Sequence, residues 1–529
     1  MAAPAAPAFT DVTVGSGLDF RHRNGATGAF YYPELMQGGG GFVDVDGDGR
    51  LDVYLVQSGP LPPDGSAAAE NRLFRNLGDG RFEDRTATSG AGDRGYGSGV
   101  AVADVDADGF PDLYITNLGR NVLLRNRGDG SFEDVTERAG VGDEGYSTCA
   151  VFFDADGDED LDLYVCNYLH WSPEVEKTCR GPMGKVAYCS PSEYEPAPDR
   201  LYRNDGDGRF SDVSTASGVA AKAGTGLGVV AADFDGDGRQ DLYVANDQRP
   251  NFLWMNRGDG RFRDEALARG AALNELGQPE AGMGVAIGDP DADGDWDLFV
   301  VHLSGETNTY YRNDGSGSFV DATDEARLGA VSRPYTGFGT GFFDLDHDGL
   351  LDLVIANGKV SPGDTVELDY REPNQLLVGT AAGAWEVAPL LAEGAPEEVS
   401  RAIAFGDVDL DGDVDLLLVN NDGPARLLRN DAAKSGHWLA VTLRSPGPNR
   451  DGLGAVVVAR AGAAEWRRLV HTTSSYCAAS EPSAHFGLGS VAVVERLEVH
   501  WPDGAVELWS DVAVDRRLEL ARGEGRAAP

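Results

Sequence analysis

Seven short stretches of this chain carry carboxylates at a spacing that suits a hard cation. The first is Asp44-Val45-Asp46-Gly47-Asp48-Gly49-Arg50-Leu51-Asp52, and variants begin at Asp104, Asp154, Asp233, Asp289, Asp344 and Asp407. Positions one, three, five and nine are Asp in every copy. The candidate ligands are Asp44, Asp46, Asp48 and Asp52, then Asp104, Asp106, Asp108 and Asp112, then Asp154, Asp156, Asp158 and Asp162. Next come Asp233, Asp235, Asp237 and Asp241, with Asp289, Asp291, Asp293 and Asp297 in the fifth loop. Asp344, Asp346, Asp348 and Asp352, and finally Asp407, Asp409, Asp411 and Asp415, complete the set. Alternating carboxylates on a tight turn converge on one point, which is how oxygen ligands hold Ca²⁺. Gly at position six permits the turn in every copy but the third, where Glu159 stands. Up to seven Ca²⁺, mainly structural, are therefore expected. The third loop and the fifth, which contains Pro290, are expected to be weak or atypical.

An EF-hand would need a bidentate Glu at position twelve and a helix on each side. Position twelve is Leu55 in the first copy and Val165 in the third. Position nine opens a strand-like run, as in Asp112-Leu-Tyr-Ile-Thr, and the residues leading into the loop are small and Gly-rich, as in Gly97-Ser-Gly-Val-Ala. The stretches read as calcium-clasped β-hairpins.

A second segment recurs behind each loop, for example Asn121-Val-Leu-Leu-Arg-Asn-Arg-Gly-Asp-Gly-Ser-Phe-Glu-Asp-Val-Thr. Asp-Gly between short apolar alternations is a hairpin signal. One repeat thus holds four strands, GxGVAxxD, DLYVxN, NxLxRN and FxDVT. Loop starts are 60, 50, 79, 56, 55 and 63 residues apart. This is the size of a β-propeller blade, so seven loops predict seven blades. The seventh unit runs to Asn430 without its last strand, while the N-terminus begins with a free copy, Phe9-Thr-Asp-Val-Thr13. That strand is predicted to complete the last blade and close the ring, removing exposed edges.

The expected fold is all-β: a seven-bladed propeller over 1–435, then a small β-sandwich-like domain over 436–529. The repeat is broken by an irregular insertion at 167–199 carrying Cys179, Cys189 and several aromatics, and loops of that length are usually functional or disordered. The sixth unit is degenerate, with Gly379-Thr-Ala-Ala-Gly-Ala-Trp385 replacing the Gly-Asp-Gly turn and a Pro/Gly-rich loop near Ser361. In the C-terminal unit, strands are expected at His437–Leu443, Gly454–Arg460, Arg467–His471, Arg496–Trp501 and Val506–Trp509, with a frayed tail after Arg522.

Acidic residues number 87 against 44 basic, a net charge of −43. Seven divalent ions would still leave a strongly negative surface, so nucleic acid and anionic membranes are not expected as partners. No run of about twenty apolar residues is present, so no membrane span is expected. Met1-Ala-Ala-Pro has neither a basic region nor an apolar core, so no signal peptide is visible; the protein is cytoplasmic or begins after a removed leader. The five Cys are odd in number with no CxxC, which speaks against zinc, and Cys179 and Cys189 share one loop and could pair. A monomer is expected.

The Asp loops with their Gly-rich leading strands, such as Gly337-Phe-Gly-Thr-Gly-Phe-Phe-Asp344, resemble FG-GAP/VCBS repeats of integrin-like propellers. Asn449-Arg-Asp-Gly-Leu-Gly-Ala455, Ser475-Tyr476, His485-Phe-Gly-Leu-Gly489 and Val499-His-Trp-Pro-Asp-Gly504 resemble the ASPIC/UnbV domain. The combination is similar to bacterial homologues of cartilage acidic protein 1. The resemblance implies a calcium-binding propeller, extracellular or periplasmic, and little about reaction chemistry. At a Gly-Gly-Ser-Tyr position of the family this chain has Thr473-Ser-Ser-Tyr-Cys477, leaving a free-looking thiol.

Catalysis would need groups that do not repeat. Arg21 and His22 precede the first blade beside Tyr31, Tyr32 and Glu34, and His302 and Glu306 sit near a strand end. These five are the candidate catalytic residues: Arg21, His22, Glu34, His302 and Glu306. His347 lies at a non-ligand position of the sixth loop, where a solvated ring is expected. GxSxG, HExxH, P-loop and Rossmann fingerprints are absent. Two functions remain open. One is a calcium-stabilised module binding a protein, glycan or small molecule through its non-repeating loops. The other is a cofactor-independent cyclase or isomerase acting on a natural product in the central pocket.

Overall fold

The computed structural model describes residues 6–62, 70–181, 184–360 and 369–527. The four strands read per repeat are the four that form. In the second unit Tyr96–Ala103, Asp112–Leu118, Val122–Asn126 and Phe132–Asp134 pair antiparallel in that order. Six more such sheets begin at Gly40–Val43, Ser147–Phe153, Gly226–Ala232, Val285–Gly288, Gly337–Phe343 and Ser400–Gly406. The seventh takes its outer strand from the far end of the chain, as expected: Phe9–Asp11 lies antiparallel on Leu428–Asn430. Second strands such as Asp112-Leu-Tyr-Ile are buried throughout because each sheet is covered on both faces by its neighbours. Outer strands bury only their first residue, as Phe82 is buried while Glu83 and Asp84 are exposed.

First strands of successive sheets pack against one another, from Gly40–Val43 onward, and Ser400–Gly406 packs back on Gly40–Val43. Glycine makes this approach possible: a Cβ on Gly228 would lie 2.2 Å from the Met283 carbonyl oxygen, and one on Gly284 only 2.0 Å from that of Phe338. The arrangement is propeller-like.

The repeated Arg-Asn pair has a role that its spacing alone did not disclose. Asn126 Nδ2 donates to Pro111 O in its own loop and, at 2.8 Å, to Val45 O in the preceding unit. Asn204, Asn256, Asn313 and Asn430 reach back likewise to Val105, Ala155, Phe234 and Leu345. Asn76 of the first unit reaches Val408 of the seventh at 2.9 Å. Only the degenerate sixth unit, with Gly379 at this place, lacks the latch among the described residues. Asn126→Ala should cost about 1–3 kcal/mol, because the buried Val45 carbonyl and the half-buried Pro111 carbonyl lose their donor. Chemical denaturation measures this; a change below about 0.5 kcal/mol would show that the latch is incidental.

The C-terminal unit is two sheets. Trp438–Arg444 lies between Ala484–Gly487 and Arg516–Ala521, while Ala464–Leu469, Val456–Ala461, Val493–His500, Val506–Ala513 and Arg526–Ala527 form the other. The tail expected to fray after Arg522 is instead paired as far as Ala527, on Glu507 and Leu508. A hairpin of Thr473–Ser474 and Ala478–Ala479 leaves this unit altogether and joins the first propeller sheet, Ala478 and Ala479 running parallel to Gly40 and Gly41. The Pro/Gly-rich loop expected at Ser361 lies outside the described residues. Among those residues no helix is long and apolar enough to cross a membrane.

Candidate functional site

All seven Asp loops join first to second strands and so lie at one end of the sheets. In the first loop Asp44 accepts from the backbone N–H of Asp48 and Gly49, at 3.1 and 2.8 Å. Asp52 ties the loop to its sheet, accepting from Val45 N and Asn76 N. One carboxylate oxygen from each of several loop residues also converges with those of its neighbours. Those of positions one, three and five lie within 4.8 Å of one another in the first, second and fifth loops, and those of one, three and nine in the third and fourth. One oxygen each of Asp46, Asp106, Asp156, Asp235, Asp289 and Asp344 is buried without a hydrogen-bond partner. Burial pushes Asp104 and Asp344 up to about 7 and Asp289 to about 6. Such clusters of orphaned carboxylate oxygens fit a hard divalent cation, which would satisfy them and offset their mutual repulsion.

The third loop keeps this geometry because Glu159 itself adopts the left-handed backbone that Gly takes elsewhere, with φ of 70°, and its carboxylate pairs with Arg522 at 3.2 Å. In the fifth loop Asp295, at position seven, has a buried orphan oxygen and is raised to about 7 by burial and then by Asp293. The four-Asp motif omits it, although the run Asp289 to Asp297 carries Asp at every odd position. Ligand carboxylates pair with arginines in several loops, Asp46 with Arg75, Asp106 with Arg125 and Asp235 with Arg269. The seventh loop takes its cations from residues that follow its sheet. Its Asp407 carries the Arg517 guanidinium at 3.0 Å, and Asp413 carries the Lys434 ammonium at 2.9 Å. Arg450 comes to 4.0 Å from Asp104. The C-terminal unit therefore sits on the Asp-loop end. This also corrects the reading of His347, which is buried rather than solvated, 3.2 Å from Asp413 and packed on His485 and Trp438.

The opposite end carries the residues that do not repeat. Cys179 and Cys189 are disulfide-bonded within the insertion. The insertion folds over the segment before the first sheet: Tyr188 donates to Glu34 Oε2 at 2.7 Å, and Glu176 accepts from Tyr32 N, Trp171 Nε1 and the Tyr194 hydroxyl. Behind this lid the Tyr32 and Tyr168 hydroxyls meet at 2.6 Å, and Tyr168 donates to Asp247. Glu34 Oε1 and Asp247 Oδ1 are buried without partners. Burial raises Asp247 to about 7, opposed by the Tyr168 hydrogen bond and reinforced by Glu306. Glu34 is also raised by burial. Phe30, Tyr31, Tyr188 and Tyr370 stand half-buried around it, Phe30 packing on Tyr188 and Tyr188 on Tyr370.

Of the five candidate catalytic residues, Glu34 alone hydrogen-bonds to the insertion among the described residues. Arg21 is exposed and donates to Asp422 O. His22 is wholly buried; its Nδ1 accepts from Asp422 N, so Nε2–H faces Ser58 Oγ at 2.9 Å, and burial lowers it to about 3. That is a neutral, structural histidine. His302 is buried too, donating from Nδ1 to Thr307 O and held down to about 4 by burial. Glu306 accepts from Ala281 N, whose residue bridges to Asp247. Asp247, Tyr168 and Glu176 were not singled out from the sequence; only their position in or after the insertion hinted at them.

The C-terminal hairpin enters the space between the first strands. Ser475, Tyr476 and Cys477, at the tip of the C-terminal hairpin, are buried among the first strands, and the Tyr476 hydroxyl donates to Met36 O at 2.7 Å. Ser475 pairs with Val285. Arg401, fully buried, stacks on Phe338 at 3.8 Å and donates to the carbonyls of Leu35, Gly358 and Ser400.

A family model of FG-GAP-like repeats matches residues 44–115, 104–165, 188–244, 233–300 and 289–355, and a model of ASPIC and UnbV matches 445–527. Cartilage acidic protein 1 of Xenopus tropicalis is 28% identical over 308 residues, 55% of this chain and 44% of its own length. That of Mus musculus is 26% identical over 489 residues, 89% of this chain and 71% of its own. The chain thus spans less than half of the frog relative. Among solved structures, YCF48 bound to D1 peptide aligns over 82% of this chain and 100% of its own, with a TM-score of 0.42 and 11% identity.

Proposed function

The chain belongs to the FG-GAP-like repeat family, and on that footing we propose that it is a calcium-stabilised, ligand-binding propeller. In this reading 1–435 form a seven-bladed ring closed by the N-terminal strand, and 436–529 are an ASPIC/UnbV-like domain seated on the calcium end. The Asp loops hold Ca²⁺ as clasps, and in the seventh Arg517 and Lys434 compete with the ion at Asp407 and Asp413. The Cys179–Cys189 bond supports an extracellular or periplasmic home.

The observation that carries the ligand reading is the lid of the insertion over Glu34 and Asp247. Half-buried aromatics around carboxyl oxygens that lack partners suit a ligand rich in hydroxyl groups, stacked on the rings and donating to the carboxyls. A glycan array followed by titration of the best neutral oligosaccharide tests this. Tyr188→Ala and Glu34→Gln should each weaken binding at least about tenfold, the worth of one buried contact. Unchanged affinity in both variants would move the ligand off this face.

A second reading, catalysis on a natural product, draws on Asp247. A carboxyl held near 7 at the end of a Tyr32–Tyr168 chain has the proton affinity of a general acid or base. It places the chemistry at the lidded mouth, not in the axis. Turnover that survives Asp247→Asn would remove this reading and leave the binding one.

A further inference from the structure

Two of the seven units depart from glycine at one position of the first strand, and the third does so with a thiol. Five residues before each Asp loop stand Gly39, Gly99, Cys149, Gly228, Gly284, Gly339 and Ala402. These residues ring the axis. A Cβ on Gly99 would lie 2.7 Å from Cys477 Cβ, and one on Gly39 2.7 Å from the Cys477 carbonyl oxygen. Where the third unit puts a thiol at this position, the C-terminal hairpin puts a thiol opposite. Cys149 Sγ and Cys477 Sγ are 2.8 Å apart, well inside the contact distance of two unbonded sulfurs. Cys477 N also donates to Cys149 Sγ at 2.9 Å, so the two chain segments are already in register. The hairpin tip holds two non-glycine residues in left-handed backbone, Ser475 with φ of 71° and Cys477 with φ of 50°. That conformation costs energy, and something must hold the tip in place.

We propose that Cys149 and Cys477 form a second disulfide, which locks the C-terminal hairpin into the propeller axis. The step joins the two Sγ atoms and releases two protons and two electrons. The electrons pass to a disulfide of a thiol–disulfide exchange partner, protein or small molecule, which is reduced to two thiols. Both sulfurs are buried, so exchange takes place as the hairpin enters the axis during folding, and the finished bond is shielded from reductants. Cys166, fully buried on the neighbouring strand, stays a thiol.

The test uses full-length protein in which the Cys179–Cys189 bond is intact, unfolded in guanidinium with iodoacetamide and no reductant, then digested. The proposal expects alkylation at Cys166 alone, a linked peptide pair carrying Cys149 and Cys477, and an intact chain four hydrogens lighter than the reduced form. Alkylated Cys149 and Cys477 in that sample would overturn it, as would a Cys149–Cys166 link. A second readout guards against a variant that fails to fold. Cys477→Ser should melt lower than wild type when neither has seen reductant, and the two should melt together once both are reduced while unfolded and refolded in reductant. Equal melting temperatures of oxidised wild type and Cys477→Ser would count against the bond.

Discussion

Chelation with EDTA is expected to lower the melting temperature by on the order of 10 °C or more, with the drop reversed by Ca²⁺ and not by Mg²⁺ at equal concentration. An ion that binds only the folded loop adds about 2.7 kcal/mol at a hundredfold excess over its Kd, and several loops act together. The expectation rests on orphaned oxygens of Asp46, Asp106, Asp156, Asp235, Asp289 and Asp344 facing other carboxylates. Mg²⁺ demands a tighter octahedron than these mixed sets offer. A melting curve indifferent to EDTA would remove calcium from the account of this fold.

The same loops give the effect a pH dependence of definite sign. Burial raises Asp52 and Asp104 to about 7 and Asp162, Asp241, Asp297 and Asp352 to about 8, from an ordinary 3.8. In the calcium-free protein the folded state therefore holds more protons than the unfolded one between about pH 4 and 8. Stability falls wherever the folded state binds more protons as pH rises, so the apo protein should weaken steadily across that window. Ca²⁺ competes with those protons, and its apparent affinity should rise from pH 6 to 8. Calorimetric titration at three pH values measures it; affinity that falls with pH would contradict the ligand set.

The features legible in the sequence are those that repeat locally. The Asp spacing disclosed the hairpins, and Phe9-Thr-Asp-Val-Thr13 disclosed its place because it copies a strand seen in the other units. The insertion stood out as the segment that matches nothing. The latch of Asn126 was visible as a recurring letter but not as a bond, since its partner Val45 is distant in sequence. His347 looked solvated because its own loop is a surface turn; the C-terminal unit that buries it begins some ninety residues later. The hairpin at 473–479 was missed for a related reason. Two-residue strands have no periodicity to read, and their register is set by the sheet they join. The same holds for Glu34, which sits in no motif and becomes interesting only once Tyr188 is laid on it.

Tyr476→Ala should be the most disruptive single substitution in the molecule, at about 3–5 kcal/mol. Its ring is 1% exposed and packs edge-on against Phe338 at 5.0 Å, and Phe338 in turn carries the Arg401 guanidinium over its ring. Arg401 has no carboxylate within bonding reach among the described residues; its charge rests on backbone carbonyls and that aromatic face. Burial lowers it to about 10, so at neutral pH it remains charged. Removing Tyr476 opens the stack to a void beside a buried cation, and the Met36 carbonyl loses its donor. Because the hairpin is the part of the C-terminal unit that enters the first sheet, the loss should also separate the two units. Calorimetry should show one transition in the wild type and two in Tyr476→Ala, with the propeller transition still responsive to calcium. Tyr476→Phe, which keeps the ring and loses only the hydroxyl, should cost about 1 kcal/mol and leave a single transition. If both variants melted as the wild type does, the hairpin would be a passenger in the axis rather than its plug.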